Sequence, residues 1–573
     1  MPMCASCWHI SVANPQPRAV FPIPRRAVLA AGVLLLIFVI QACIAARRDS
    51  VTIDEFSQVP VGLYMLRTGD FSLDPINPPL TRMIAALPLW LRPPVFNPPP
   101  NTSHWGMGYV LMEQNRQDYQ AIFVRARDAM IVFTGLLGAL VFVWAAQLYG
   151  WHAGLAALTL FAFSPNMLAY AHLATLDMSG ALGATATAYA TWRMLERPSV
   201  RSAVLLGVTL GIATLLKLSG VVLIGTVVLG VLVCARRERG VRRRPALWAR
   251  LLFVSGLIAL LTLNAGYGFQ GTCASLSVAH LAANGALAAL RTACPWLRIP
   301  LPLPLLNGVD EVLNSGKQLQ PAYFLAGELS SQGWWYYHLA AFALKTSVPL
   351  LLCALWAAAV WCAGKGRGRR EYCVFIPLIL IFLANALFNS LQIGVRHVLS
   401  AYPLVFIAAS PWIVAALQAR TRGAGGALLA AASAAGLLWF VAGSLWVAPR
   451  YLQYFNEIAG GPNGGHRFLI DSNIDWGQDL IRLREYMDQR ALRVVNLAYF
   501  GRVDPAVYGI SFVPLERERA HGPTVVSASF LMGRPYFWYL GGQMRWVPPR
   551  TYTWLQQYQP VARVGSLFVV DLP

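Results

Sequence analysis

AVLAAGVLLLIFVIQACIAA, residues 27–46, runs directly into RRDSVTIDEFSQV, residues 47–59. The first stretch is long and apolar enough to cross a bilayer as a helix. The second sets two adjacent carboxylates, Asp54 and Glu55, just past the end of that helix. Charge near hydrocarbon is costly to hold, so carboxylates at such a boundary point to a use. No small-residue cleavage site is evident after the apolar run, which therefore reads as a retained span rather than a signal peptide.

Further apolar runs of comparable length lie at about 128–149, 152–169, 177–195, 202–216, 218–234, 249–265, 339–362, 373–390, 398–417 and 425–447. Together they predict a polytopic α-helical membrane protein with about 11 transmembrane helices. Composition agrees. The 573 residues are 57% hydrophobic and 12% charged, whereas soluble chains carry about a quarter charged residues.

Basic residues outnumber acidic ones by 46 to 25, and their placement sets the expected orientation. With the N-terminal segment 1–26 in the cytoplasm, the short inner loops receive Arg193, Arg197 and Arg201, the cluster Arg236–Arg244, Lys365–Arg370, and Arg420 with Arg422. Arg47 and Arg48 fall outside, but they open a long loop, where the rule is weak. The membrane domain then covers 27–447, with outer loops at about 47–127 and 266–337, and residues 448–573 form an extracytoplasmic tail. The densest basic run lies between two spans rather than on a soluble domain, which argues against a nucleic-acid partner. In the tail, VVNLAYFG, TVVSASF and SLFVV alternate as strands do and DLIRLREYMDQR has a helical pattern, so a small α/β domain is expected.

Of nine cysteines, this topology exposes only Cys273 and Cys294 to an oxidising space, and a disulfide between them is expected. Cys4-x-x-Cys7 has one pair and no second, so neither zinc nor redox use is read from it.

An outer carboxylate, several cations and a large membrane body suit a lipid-phosphate-linked sugar. Its tail needs a groove between helices, its phosphate needs cations, and the attacking hydroxyl needs a base within reach. No phosphate-binding loop and no paired Cys/His cluster is present. The segment DEFSQVPVGLYMLRTGDFSLDPINPPLTR, residues 54–82, resembles the first outer loop of GT-C glycosyltransferases that use phospholipid-carried sugars, in their bacterial protein O-mannosyltransferase-like branch. Asp54-Glu55, Gly69-Asp70-Phe71 and Pro78-Pro79-Leu80 carry the match, and it continues through residues 164–182, 333–351 and 393–404.

The resemblance implies the GT-C fold and transfer of a hexose or pentose from a polyprenyl-phosphate donor to a protein, glycan or lipid acceptor, with inversion. It implies an inner-membrane location with the site facing the periplasm or exterior. Asp54 maps onto the general base, with Glu55 its companion and Asp177 a second active-site carboxylate. Arg396, His397, Lys345 and Arg82 map onto donor-phosphate ligands. Two departures stand out: Asn77 occupies a position where many relatives have His, and Arg82 one where protein O-mannosyltransferases tend to have Lys. Nothing resembles the β-trefoil of the eukaryotic enzymes. No metal ligand set is predicted, and a divalent cation is the one cofactor left open.

Two features leave room for other readings. DSNIDWGQDL, residues 471–480, is rich in oxygen ligands but lacks the spacing of a calcium loop, and helix capping accounts for Asp475 or Asp479 more simply. A lipid or solute transporter, or a non-catalytic homologue that binds a lipid-linked glycan, is the alternative function. A transporter should show inverted repeats and mid-membrane polar residues. Here the acidic residues concentrate in outer loops instead.

Overall fold

The computed structural model describes residues 22–237, 242–281, 285–315, 322–364, 369–388, 391–421, 423–540 and 543–573. The Cys4/Cys7 pair and most of the N-terminal segment lie outside them. Each of the apolar runs is helical, but they differ in kind. Among the described residues, seven helices are long and apolar enough to cross a membrane, or eight if Trp151–Ala162 and Pro165–Ala171, which meet at a 63° bend, count as one span. The remaining runs fall short for identifiable reasons. Val200–Leu216 has 17 residues. The 339–362 run breaks at Ser347, the N-cap of Val348–Cys362, after Tyr337–Lys345 has ended. Leu176–Glu196 is long enough, but Asp177, Arg193 and several Thr lower its apolarity, and most of it is buried inside the bundle.

The segment expected as the first outer loop is not an open loop. Helix α1 (Arg25–Arg48) is followed by α2 (Ile53–Thr68), α3 (Pro79–Leu91) and α4 (His104–Gln114), then by the spanning helix α5 (Tyr119–Tyr149). At the start of α2, the Glu55 side chain accepts from the Thr52 backbone, closing a capping box. Its end is set by Gly69, whose φ of 70° is the left-handed conformation that stops a helix cheaply. Gly62 lets α3 come close, because a Cβ there would meet the Arg82 carbonyl oxygen. Most of α2 is therefore buried.

In the tail, the three predicted strands form at Val495–Ala498, Gly522–Ser527 and Leu567–Leu572, with the predicted helix at Leu480–Gln489. They join Phe512–Pro514 and Ala562–Val564 in a five-stranded mixed sheet. Val495–Ala498 is parallel to both neighbours, while Leu567–Leu572 runs antiparallel to Gly522–Ser527. The sheet core is continuous with that of the membrane body.

Cys273 and Cys294 are both free thiols, against expectation. Ser275 pairs antiparallel with Arg298, and Ser277 donates its N–H to the Pro295 carbonyl. That register runs the two cysteines toward opposite ends of the pairing.

Candidate active site

Asp54 sits in the first turn of α2, one residue past Ile53. Arg396 belongs to a short turn, Val395–Val398, between two spanning helices. The fold brings them together. Arg396 Nη1 donates to Asp54 Oδ2, and the same nitrogen lies 3.7 Å from Asp177 Oδ2. Asp177 in turn accepts from Lys217 Nζ at 2.7 Å. Two carboxylates and two cations thus alternate along one row. The Asp54 side chain is the most open of the row, about 26% exposed against 5% for Asp177. It is the carboxylate of the row most open to solvent.

Electrostatics favour a responsive Asp54. Burial raises its pKa above the ordinary carboxylate value, Arg396 opposes that rise, and the charges of Asp177 and Asp471 add to it. Arg396 is the reverse case. Burial works against its charge, but Asp54 and Asp177 outweigh it and hold the guanidinium more firmly protonated than usual. Its Cζ also lies over the Trp476 indole, 4.5 Å from the ring centroid, and among the described residues its Nε has no hydrogen-bond partner.

The other residues singled out from the sequence occupy different places. Glu55 points away from the row into a buried pair with Arg127, Oε2 to Nη2 at 2.6 Å and Oε1 to Nε at 2.8 Å. Arg127 also takes the carbonyls of Ala46, Asp49 and Ser50, and Glu55 accepts from the Ala174 N–H. Glu55 therefore ties the end of α1, the start of α2 and the approach to Asp177 into one unit. Its charge serves the frame of the site. Arg82 is 1% exposed and bonded to Asp74 Oδ2 at 2.9 Å, so its fork is spent within α3 and the loop before it. Lys345 is buried and donates to the carbonyls of Leu452 and Asn473 at 2.8 and 2.6 Å. Neither Arg82 nor Lys345 joins the row.

His397 follows Arg396, and its Nε2 is buried without a partner among the described residues. Burial, then the nearby cations Arg396 and Lys217, push its pKa well below the usual imidazole value. It is a neutral hydrogen-bonding group beside the row, not a further cation. Lys217 was visible in the sequence as a lone cation between two apolar runs, but nothing there linked it to Asp177, 40 residues earlier. Trp476 had no sequence signal for its place under Arg396. Among the described residues, no cluster of three or more His, Cys, Asp or Glu is arranged to hold a metal ion. Asp54 and Asp177 are both engaged by cationic side chains, which makes them a poor donor set for a divalent cation.

Residues 122–263, which carry Asp177 and Lys217, match the family model for dolichyl-phosphate-mannose-protein mannosyltransferase. The match supports the GT-C glycosyltransferase assignment. It spans about a quarter of the chain. No curated protein sequence matches. Among solved structures, the chain is similar to ArnT from Cupriavidus metallidurans bound to undecaprenyl phosphate, at 17% identity over 95% of this chain and 97% of that one, with a TM-score of 0.46. It is also similar to the oligosaccharyltransferase AglB from Archaeoglobus fulgidus in complex with an inhibitory peptide and a dolichol-phosphate. That match has 11% identity over 90% of this chain and 74% of the other, with a TM-score of 0.43. Identities this low carry no residue roles across.

Proposed function

We propose that this integral membrane protein transfers a sugar from a polyprenyl-phosphate donor to an acceptor hydroxyl on the outer face of the cell membrane, with inversion at the anomeric carbon. The observation that carries this reading is the Asp54–Arg396 pair at the boundary between the helical body and the tail. It combines a partly exposed carboxylate of raised pKa with a firmly charged guanidinium, the two groups that a single displacement needs.

In the donor-free state Arg396 is held by Asp54 and shared with Asp177. A bound donor phosphate draws Arg396 toward itself and frees Asp54. Asp54 then takes the proton of the acceptor hydroxyl as its oxygen attacks the anomeric carbon. The bond from that carbon to the phosphate oxygen breaks, and its electron pair leaves with polyprenyl phosphate. Charge on the phosphate grows from one toward about −1.5 to −2. The cation beside it is therefore worth more in the transition state than in the ground state, which is the condition for catalysis. Lys217 keeps Asp177 neutralised, so Arg396 is free to move. His397, next to Arg396 in the chain, is the second hydrogen-bonding group we assign to the same phosphate.

The row is balanced, two cations against two carboxylates, so an arriving anion does not meet net negative charge. The acceptor is a protein, glycan or lipid hydroxyl, and the sugar a hexose or pentose. The test is transfer by the purified full chain, in detergent or nanodiscs, from radiolabelled polyprenyl-phosphate sugars to envelope extracts. No transfer from any lipid-phosphate sugar, with the protein folded, overturns the reading.

A further inference from the structure

The DSNIDWGQDL segment of the tail enters the site from behind, and its contacts fall on both halves of the reacting pair. The Trp476 carbonyl accepts the Ile53 N–H at 3.1 Å, one residue before Asp54, while the Trp476 ring lies under the Arg396 guanidinium. One buried residue thus touches the backbone that carries the carboxylate and the side chain that carries the cation. Asn473 repeats the pattern. Its side-chain oxygen accepts the Val395 N–H at 2.9 Å, one residue before Arg396, and its carbonyl takes Lys345 Nζ. Ser472 Oγ donates to the Ile393 carbonyl at 2.7 Å, and the Ser472 carbonyl accepts from Tyr170 at 2.8 Å. Ser50, between α1 and α2, is gripped by the carbonyls of Gly477 and Gln478.

We infer that residues 471–479 are the positioning element of the transfer site, with Trp476 setting Arg396 against Asp54, so that the tail is a working part of the site and not an appended domain. This rests on the function proposed above. A short turn such as Val395–Val398 has few internal hydrogen bonds to fix its side chains, so an outside anchor decides where the guanidinium points. An indole face holds an Arg in plane without consuming its N–H donors. Arg396 therefore keeps its fork for Asp54 at rest and for a phosphate during transfer. Lys345, buried and with no carboxylate partner among the described residues, gains a role here: it pins the Asn473 carbonyl.

The test compares Trp476→Phe, which keeps an aromatic face and the backbone carbonyl, with Trp476→Leu, which removes the face. Both are made in the full chain, with thermal stability as the folding check. For the Leu variant, kcat should fall about tenfold or more, and the acid limb of the pH profile of kcat/KM, which reports the donor-free enzyme, should move to higher pH, because Asp54 loses its fixed cation. Trp476→Phe should recover most of both. A second readout needs no turnover. The difference in Tm between each protein and the same protein carrying Asp54→Asn, followed against pH, reports Asp54 ionisation directly and should shift upward in the Leu variant. Equal losses for Phe and Leu that track Tm, with the Asp54 titration unmoved, overturn the inference. A folded Leu variant with wild-type kcat and pH profile does the same. Should Trp476→Leu fail to fold, Asn473→Ala must shift the Asp54 titration in the same direction, and an unmoved titration there overturns the inference. Absence of any transfer by the wild-type chain defeats the functional reading, while the thermal titration still decides this one.

Discussion

Asp54 and Arg396, 342 residues apart in the chain, meet as an ion pair that also lies within reach of Asp177. Neither element alone fixes the pair. α2 supplies the carboxylate from its first turn, and the turn between two late helices supplies the cation. The tail holds both from behind. Residues from opposite ends of the membrane domain thus converge on one place.

Arg396→Ala should lower turnover at saturating donor by about 10²-fold or more, the scale seen when one charge-stabilising donor is removed. Arg396→Lys should recover only part, since a point charge replaces a planar fork. Steady-state kinetics with folding checked by thermal unfolding decides this. A stable, fully active alanine variant would move the phosphate site elsewhere.

The acid limb of the pH–rate profile should lie above the ordinary aspartate range. The sign follows from burial, which raises the Asp54 pKa despite Arg396, so the base is protonated and lost at a higher pH than a solvated carboxylate would be. A limb at or below about 3.9, the value for a free Asp, would contradict the assignment.

Arg82→Met should destabilise the protein without a specific loss of donor binding. It leaves Asp74 as an uncompensated buried carboxylate, a change that typically costs about 3–5 kcal/mol. The check is Tm against the KM for donor. A stable variant with a greatly raised KM would restore Arg82 as a phosphate ligand.

Asp475→Asn should stabilise the tail at alkaline pH. Asp475 is fully buried, and burial pushes its pKa up to about 7 although Ser529 and Ser566 bond to it. A carboxyl raised on folding favours the folded state while it is protonated. Wild-type stability should therefore fall as pH rises from about 4 to about 7, by up to ~4 kcal/mol at 1.36 kcal/mol per pKa unit. Asparagine removes that slope. Unfolding curves of both proteins at pH 5 and pH 8 give the answer, and a slope unchanged by the substitution would count against a neutral Asp475.

The sequence was most legible where the physics is local. Apolar runs long enough to be helices became helices, and the alternating strands of the tail appeared where their period placed them. The Asp54-Glu55 pair stood out as charge at a membrane boundary, and Arg396 through the family resemblance. Partnership was not legible. Nothing in the order of residues tells Glu55 from Asp54, yet one closes on Arg127 and the other on Arg396. Arg82 and Lys345 have the right charge for a phosphate, but burial commits them to Asp74 and to backbone carbonyls. Trp476 reaches the site only through a fold that returns the tail to the start of α2. Helix number was blurred for a related reason. A polar helix such as Leu176–Glu196 can lie inside a bundle, where its neighbours rather than lipid set what it tolerates.

The central claim is that Asp54 is the base of a sugar-transfer reaction, and single-turnover transfer by Asp54→Asn tests it most directly. The amide keeps the size of the side chain and can still accept a bond from Arg396, but it cannot take the acceptor proton. With a bound polyprenyl-phosphate sugar, the rate should fall by about 10²–10⁴ while donor binding stays near wild type and the protein remains folded. A folded Asp54→Asn protein that transfers sugar at the wild-type rate would contradict the account.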